Sequence, residues 1–323
     1  MRNKLLFFSV LAILLVTALA LQMRSEDSDE LTSRDLLSTE QMQQLAALER
    51  ITLVKGDAQV ELIRIDGNWG VLSHAGFPVQ RERLAALLHA LRGARVIEEK
   101  TSNPEHHARL GLNTGANSDA LQVRLHATGA DFGVVYGNPV GNGQLVRFVD
   151  NDQVLLINRP FGMSVNPTDW LALRVVDLPM PLVSSARWTH ADGEVLELAK
   201  QAEGDYNLKL VGLNEQEQGG NERWINSMVL ALANLTVQNV ALREELALPE
   251  AMLKMQISTW AGSQLEANLY ELDGSYWLLM DSFERAEDDA ELLVNADPRW
   301  AFQIGIGQLE NLNKRRTDII RTR

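Results

Sequence analysis

No cysteine occurs in the 323 residues. That absence excludes disulfides, thiolate zinc sites, iron–sulfur clusters, a thiol nucleophile and a lipid carried on an N-terminal Cys. Basic residues are in deficit, with 30 Lys and Arg against 43 Asp and Glu, a net charge of −13. A general nucleic-acid binder needs a cation surplus to neutralise phosphates, so this chain is not expected to bind nucleic acid. The common catalytic signatures are also missing: no H-E-x-x-H, no G-x-S-x-G elbow and no G-K-[ST] phosphate loop occurs. What is present is ordinary for a folded chain, 46% hydrophobic and 23% charged, and the length suggests about two domains.

The N-terminus carries a membrane signal. Arg2 and Lys4 precede Leu5–Leu21, seventeen residues in which only Ser9 and Thr17 are polar. As a helix that run reaches about 26 Å, and Gln22, Met23 and a snorkelling Arg24 extend it toward a ~30 Å hydrocarbon core. Glu26, Asp27, Asp29 and Glu30 follow. Cations before the span and acids after it place the N-terminus in the cytoplasm and the bulk of the chain outside. The competing reading is a cleaved secretory signal ending at Ala18-Leu19-Ala20. The length of the apolar run favours a retained single-pass anchor in the inner (cytoplasmic) membrane, with a periplasmic body.

Beyond the anchor (1–23), residues 24–37 read as a polar tether. Ser38 with Gln41 forms a possible capping box for a short helix, completing a segment at 24–50. A first unit is expected over 51–183. It opens with strands around Val60 and Leu62, punctuated by Lys55-Gly56-Asp57 and Asp66-Gly67-Asn68. Leu84, Leu87, Leu88 and Leu91 then give a helix, and Ala94–Glu99 a strand. Leu121–Leu125, Phe132–Tyr136, Leu145–Val149 and Val154–Ile157 make a meander. Asp169-Trp170-Leu171 starts a final short helix.

The order recurs over 184–307. Strands at Trp188 and Val195–Leu198 precede a helix with Trp224, Met228, Leu232 and Leu235 on one face. A strand at Val237–Leu242 and a meander at Leu253–Ile257, Gln264–Tyr270 and Tyr276–Met280 follow. Asp297-Pro298-Arg299-Trp300 is expected to start a helix as Asp169-Trp170 does. Trp69 to Trp170 spans 101 residues and Tyr206 to Trp300 spans 94. The spacing suggests an internal duplication; chance similarity of generic elements is the alternative. The expected class is therefore α+β: two tandem similar units of antiparallel hairpin and meander plus helices, on an N-terminal transmembrane helix.

The features Trp69-Gly70-Val71, Phe77-Pro78, Asn103-Pro104 with Arg109-Leu110-Gly111-Leu112, Gly137, Arg147 and Trp170-Leu171 together resemble domain-of-unknown-function family 4340. The resemblance covers most of residues 50–300. It departs at Arg109-Leu110, where the family more often shows an aromatic before the Gly-Leu pair. It implies a bacterial, membrane-anchored protein associated with an ABC transporter system of the gliding-motility type. The family has no established activity, so no catalytic residue is carried over.

The residues offer little chemistry of their own. His74, His89, His106, His107, His126 and His190 form no H-x-H or H-E-x-x-H pattern, and the neighbours His106 and His107 are expected to diverge on a loop. Gly137–Gly143 lies between strands and lacks the helix N-terminus that a phosphate cradle uses. The acidic stretches Glu26–Glu30 and Glu284–Glu291 lack EF-hand spacing. Trp170, Trp224 and Trp300 occupy apolar helical positions and are expected in the core.

Lys314, Arg315, Arg316, Arg321 and Arg323 crowd a basic tail at 308–323. It is suited to anionic headgroups or an acidic partner, or else is a frayed terminus.

No catalytic, cofactor-binding or metal-ligating residue is therefore nominated, and no cofactor. The expected function is a non-enzymatic accessory or scaffold protein. Its partners are the membrane, through residues 5–23, and other membrane proteins, ABC transporter subunits by the resemblance. The alternatives are an envelope glycan or peptide hydrolase using unidentified carboxylates, and a small-ligand-binding module.

Overall fold

The structure, a computed structural model, describes residues 33–214, 217, 218 and 222–322. The expected span at 5–23 lies outside them. Among the described residues no helix is long and apolar enough to cross a membrane. The class is α+β, with the large sheets antiparallel throughout.

The described residues divide into two compact units, 33–64 with 82–166, and 65–81 with 167–322. The first contains β1 (Arg34–Asp35), helix α1 (Thr39–Gln44), β2 (Leu48–Lys55) and β3 (Ala58–Ile65). The chain then makes a short hairpin of β4 (Asn68–Val71) and β5 (Phe77–Pro78) that belongs to the second unit. Helix α2 (Arg81–Gly93) returns it to β6 (Arg95–Glu99), β7 (Leu121–Ala127), β8 (Ala130–Val140), β9 (Gly143–Phe148) and β10 (Leu155–Ile157). Within this unit the order across the sheet is β1-β6-β10-β9-β8-β7-β2-β3.

The local reasons are visible residue by residue. Ser38 Oγ accepts from the Gln41 N–H, and the Gln41 side chain accepts from the Ser38 N–H, so the capping box closes and α1 starts there. Leu84, Leu87 and Leu91 are the buried stripe of α2. Ile51, Leu53, Leu62, Val123, Leu125 and Val134 are fully enclosed sheet residues. At about 1.5–3 kcal/mol per such side chain, this inward row dominates the stability of the unit. Residues 33–37 were expected to be tether. Instead Arg34 and Asp35 pair with Val96 and Arg95, and Leu36 and Leu37 are buried. Two leucines in a polar stretch suffice to seat it.

The second unit adds β11 (Val176–Asp177), β12 (Val183–His190), β13 (Val195–Ala199), β14 (Lys209–Leu210) and β15 (Glu217–Gln218) before helix α3 (Glu222–Ala233). After the helix come β16 (Asn239–Leu242), β17 (Leu253–Thr259), β18 (Gln264–Leu272), β19 (Ser275–Glu284), β20 (Leu293–Val294) and β21 (Trp300–Ile304). Helices α4 (Ile306–Leu312) and α5 (Arg316–Ile319) and strand β22 (Arg321–Thr322) close the chain. The main sheet runs β14-β13-β12-β17-β18-β19-β21-β16, and β11-β20 and β15-β22 form separate two-stranded ladders.

The boundary falls at 166/167, where the sequence suggested 183/184. The cause is backbone pairing: Val175 and Leu178 donate to Leu235 and Ala233, and Val237 donates to Leu173. The β4–β5 hairpin joins the same unit. Gln80 donates to the Trp170 carbonyl and Ala172 to the Pro78 carbonyl, and the Phe77 ring meets Trp300 edge-on at 5.2 Å between centroids.

Two tryptophans depart from expectation. Trp300 begins a strand and not a helix. It lies between β16 and β19, where Trp300, Phe302 and Ile304 are all buried, so sheet pairing overrides the turn started by Asp297. Trp224 is 43% exposed, because the buried face of α3 is Ile225, Met228, Val229 and Leu232 with Asn226 among them.

Candidate functional site

Asn103, Arg109–Leu112, Gly137 and Arg147 of the sequence motif meet at one place in the first unit, whereas Trp69–Val71, Phe77-Pro78 and Trp170-Leu171 belong to the second. Asn103 caps a single 3-10 turn at Pro104–His106, its side-chain oxygen accepting from the Glu105 N–H. The loop then runs along the β8–β9 edge. The Asn138 N–H donates to the Leu110 carbonyl at 3.0 Å, and its side-chain amide donates to the Arg109 carbonyl at 3.1 Å. At Gly137 a Cβ would lie 2.6 Å from the Leu110 oxygen and 2.8 Å from the Leu112 side chain. Only glycine permits that approach.

Arg147 is the tie. It is 8% exposed. Its Nε donates to the Leu112 carbonyl at 3.3 Å, and its Nη1 to the carbonyls of Phe148 at 3.0 Å and Val149 at 2.9 Å. Burial lowers its pKa, opposed by the nearby carboxylates of Asp152 and Asp150. A buried guanidinium with these acceptors is a structural pin, because each N–H so used is withdrawn from any ligand. His106 and His107 diverge: the His107 Nε2 pairs with the Asp152 carbonyl at 3.1 Å, whereas His106 lies beside Thr101. The glycine-rich stretch extends β8 through an irregular register at Tyr136–Pro139 before turning at Gly141. A shallow groove of about 510 Å³ flanks this loop, lined by Lys100, Thr101, His106, Arg109, Leu110 and Val140.

The basic tail is docked in the second unit. Arg315 Nη1 reaches Asp192 at 2.6 Å and Glu194 at 2.9 Å. Arg316 forms a fork on Glu217, at 2.5 Å and 3.0 Å. Lys314 Nζ sits 4.7 Å from the centre of the Trp224 ring, an intramolecular cation–π contact. Ile319 is buried, and β22 pairs with β15. These cations are held within the unit, so the described part of the tail is neither a frayed end nor a free basic patch.

The electrostatics follow from that arrangement. The Arg316 fork holds the Glu217 carboxyl down at about 2, and hydrogen bonding lowers Asp192. His190, 2% exposed, pairs through Nε2 with the Lys314 carbonyl at 3.1 Å, while its Nδ1 is buried without a partner. Burial, then Arg315, lowers its pKa.

Two further groups escaped the sequence reading. Asp289, 4% exposed, accepts from Thr259 at 2.5 Å and Ser263 at 2.6 Å, and the Ser263 oxygen in turn accepts from the Ala286 N–H. Here the carboxylate closes a turn. Around the start of α3, two clefts of about 640 Å³ and 480 Å³ share Glu222 as a wall. The smaller includes Lys200, whose buried ammonium donates to the Met180 carbonyl at 2.6 Å and has its pKa lowered by burial. The available signal was Asn226, an amide inside the apolar stripe of α3. Among the described residues, no group of three or more His, Asp or Glu could hold a metal ion.

No curated protein and no solved structure matches this chain. The model of one family, described as Domain of unknown function (DUF4340), matches residues 69–254. That match runs from β4 into β17, takes in Arg109, Gly137, Arg147 and Trp170, and covers more than half of the sequence, so the chain belongs to that family.

Proposed function

We propose that this is a membrane-anchored accessory or scaffold protein that works by contact. It is held in the inner membrane through residues 5–23, with its body in the periplasm. The observation that carries the reading is where the polar residues of the family motif are engaged. Arg147 and Asn103 of the motif, and Asn138 beside Gly137, bond to backbone groups of the same loop and strand, so this motif supports a rigid surface. The two units are read as copies of one design. In support, β3-β2-β7-β8-β9-β10-β6 and β13-β12-β17-β18-β19-β21-β16 list the same sequence of hairpin, meander and returning strand. Each also has its helix before the strand at that far edge.

The assignment of the partner to ABC transporter subunits rests on the family resemblance alone. Tethering confines both partners to one plane and raises their effective concentration, so weak contacts suffice. The test is crosslinking in intact cells from a photoreactive residue at exposed Ile306 or Val140, followed by identification of what is captured. Capture of a permease or ATPase subunit supports the scaffold. Capture of neither, with cleavage of an envelope polymer by the purified full-length protein, replaces it with the hydrolase. Deleting the tail after Asn313 is unsuitable, because it removes buried Ile319 along with the Arg316 fork.

A further inference from the structure

The larger cleft beside α3 is built from a particular set of groups. Tyr206, Asn207, Glu222, Arg223, Asn226, Ser227 and Leu230 line it, around about 640 Å³. Tyr206 is 66% exposed. A bare aromatic ring lining a cleft is a stacking surface without a stack, and the backbone just before it turns where Asp205 accepts from the Ala202 N–H at 3.0 Å.

Beneath the ring the amides are aligned in a chain. Asn226 is 6% exposed, and its side-chain oxygen accepts from the Leu208 N–H at 3.1 Å. That leaves its nitrogen to donate to the Asn207 oxygen at 2.6 Å. Asn207, with its oxygen so occupied, donates from nitrogen to Glu222 Oε2 at 2.6 Å. Every O and N is thereby assigned by its neighbour. The chain ends at the cleft on a carboxylate with further acceptor capacity and an amide nitrogen with a second hydrogen. A ligand meeting this edge must both donate and accept at adjacent positions, as a vicinal diol does.

We propose that this cleft is a binding subsite for a neutral oligosaccharide. The Tyr206 ring stacks on the apolar C–H face of one pyranose, and Glu222 and Asn207 hold two adjacent hydroxyls. The lining carries one charge of each sign, Glu222 and Arg223, and so favours no net ligand charge, while the amides disfavour wholly apolar ligands. A pyranose satisfies the remaining demands: one apolar face, a polar rim, and no charge to desolvate. The inference goes beyond the scaffold reading and stands independently of it.

The test uses the full-length chain in a detergent without a sugar headgroup, titrated calorimetrically with chitotriose, cellotriose and maltotriose. At least one is expected to bind with a dissociation constant of about 0.1–1 mM. Tyr206→Ala should weaken it about tenfold or more, the size of a lost aromatic contact, and Tyr206→Phe should restore it. Glu222→Gln should also weaken it. Asn207→Ala alters packing as well as contact, so Tyr206→Ala is the deciding variant, with an unchanged thermal melt expected for so exposed a ring. Absence of binding by all three sugars at about 10 mM overturns the proposal. So does binding that Tyr206→Ala leaves intact.

Discussion

The loop at 103–112 in the first unit and the tail at 306–322 in the second solve one problem in opposite ways. Both are segments that must be held against a sheet or helix. The loop is held by a buried guanidinium whose named partners are neutral carbonyls, Leu112, Phe148 and Val149. The tail is held by guanidiniums on carboxylates, and the Arg315 and Arg316 side chains retain 37% and 27% of their exposure. Carbonyls neither titrate nor draw an ion atmosphere, and Asp150 and Asp152 act on Arg147 only through space, so the loop tie should respond to salt and acid far less than the tail tie. The tail tie should respond to both. Position in the chain therefore says less about how firmly a segment is held than the chemistry of its partners does.

The largest effect gives the reference for both ties. Trp170 is fully buried, and Trp170→Ala should destabilise the second unit by about 3–5 kcal/mol in denaturant melts, independent of salt. An unchanged melt would mean that the core of that unit is organised differently. Next is Arg147→Ala, which leaves buried carbonyls unpaired. A loss of about 2–3 kcal/mol is expected, nearly equal in low and high salt. Arg147→Lys should recover only part, since an ammonium cannot reproduce the guanidinium's spread of donors. A salt-dependent loss at this position would erase the contrast between the two ties.

Glu217 supplies the acid response of the tail. Its folded pKa, about 2, lies below the ordinary 4.5. Its contribution is thus complete above pH 4.5 and is lost as pH falls from there toward 2. Arg316→Ala should flatten that part of the stability profile and abolish its salt dependence, read by thermal melts across pH.

His190 gives the smallest effect. Its pKa is lowered from 6.5, so the unfolded chain takes up its proton first and stability falls as pH drops below 6.5. His190→Gln should remove this step. The step is separable from the carboxylates Asp192 and Glu194 beside it, which titrate lower.

Much of the architecture was legible because it rests on local signals. The Ser38–Gln41 box, the Leu84–Leu91 stripe, and turns such as Asp66-Gly67, both at positive φ, act within a few residues. What failed was non-local. Trp224 and Trp300 look alike in sequence, yet Trp300 is buried and pairs with Leu242 in the sheet whereas Trp224 faces outward beneath Lys314. The tail read as a spare basic patch because its partners, Asp192, Glu194 and Glu217, lie about a hundred residues away. The amide chain from Asn226 to Glu222 was invisible for the same reason: Asn207 and Glu222 share no pattern until the chain folds. Arg147 was visible as part of a motif, but its role as a pin emerged only with the carbonyls around it.

Hydrogen exchange on the full-length chain at about 0.05 M and about 1 M salt tests the contrast most directly. The amides of Leu110, Leu112 and Asn138 report the loop, and those of Leu309, Asn313 and Ile320 report the tail, each donating to a named carbonyl. High salt should lower protection in the tail and leave the loop nearly unchanged. Equal loss in both segments, or a loop that opens before the tail, would contradict the account.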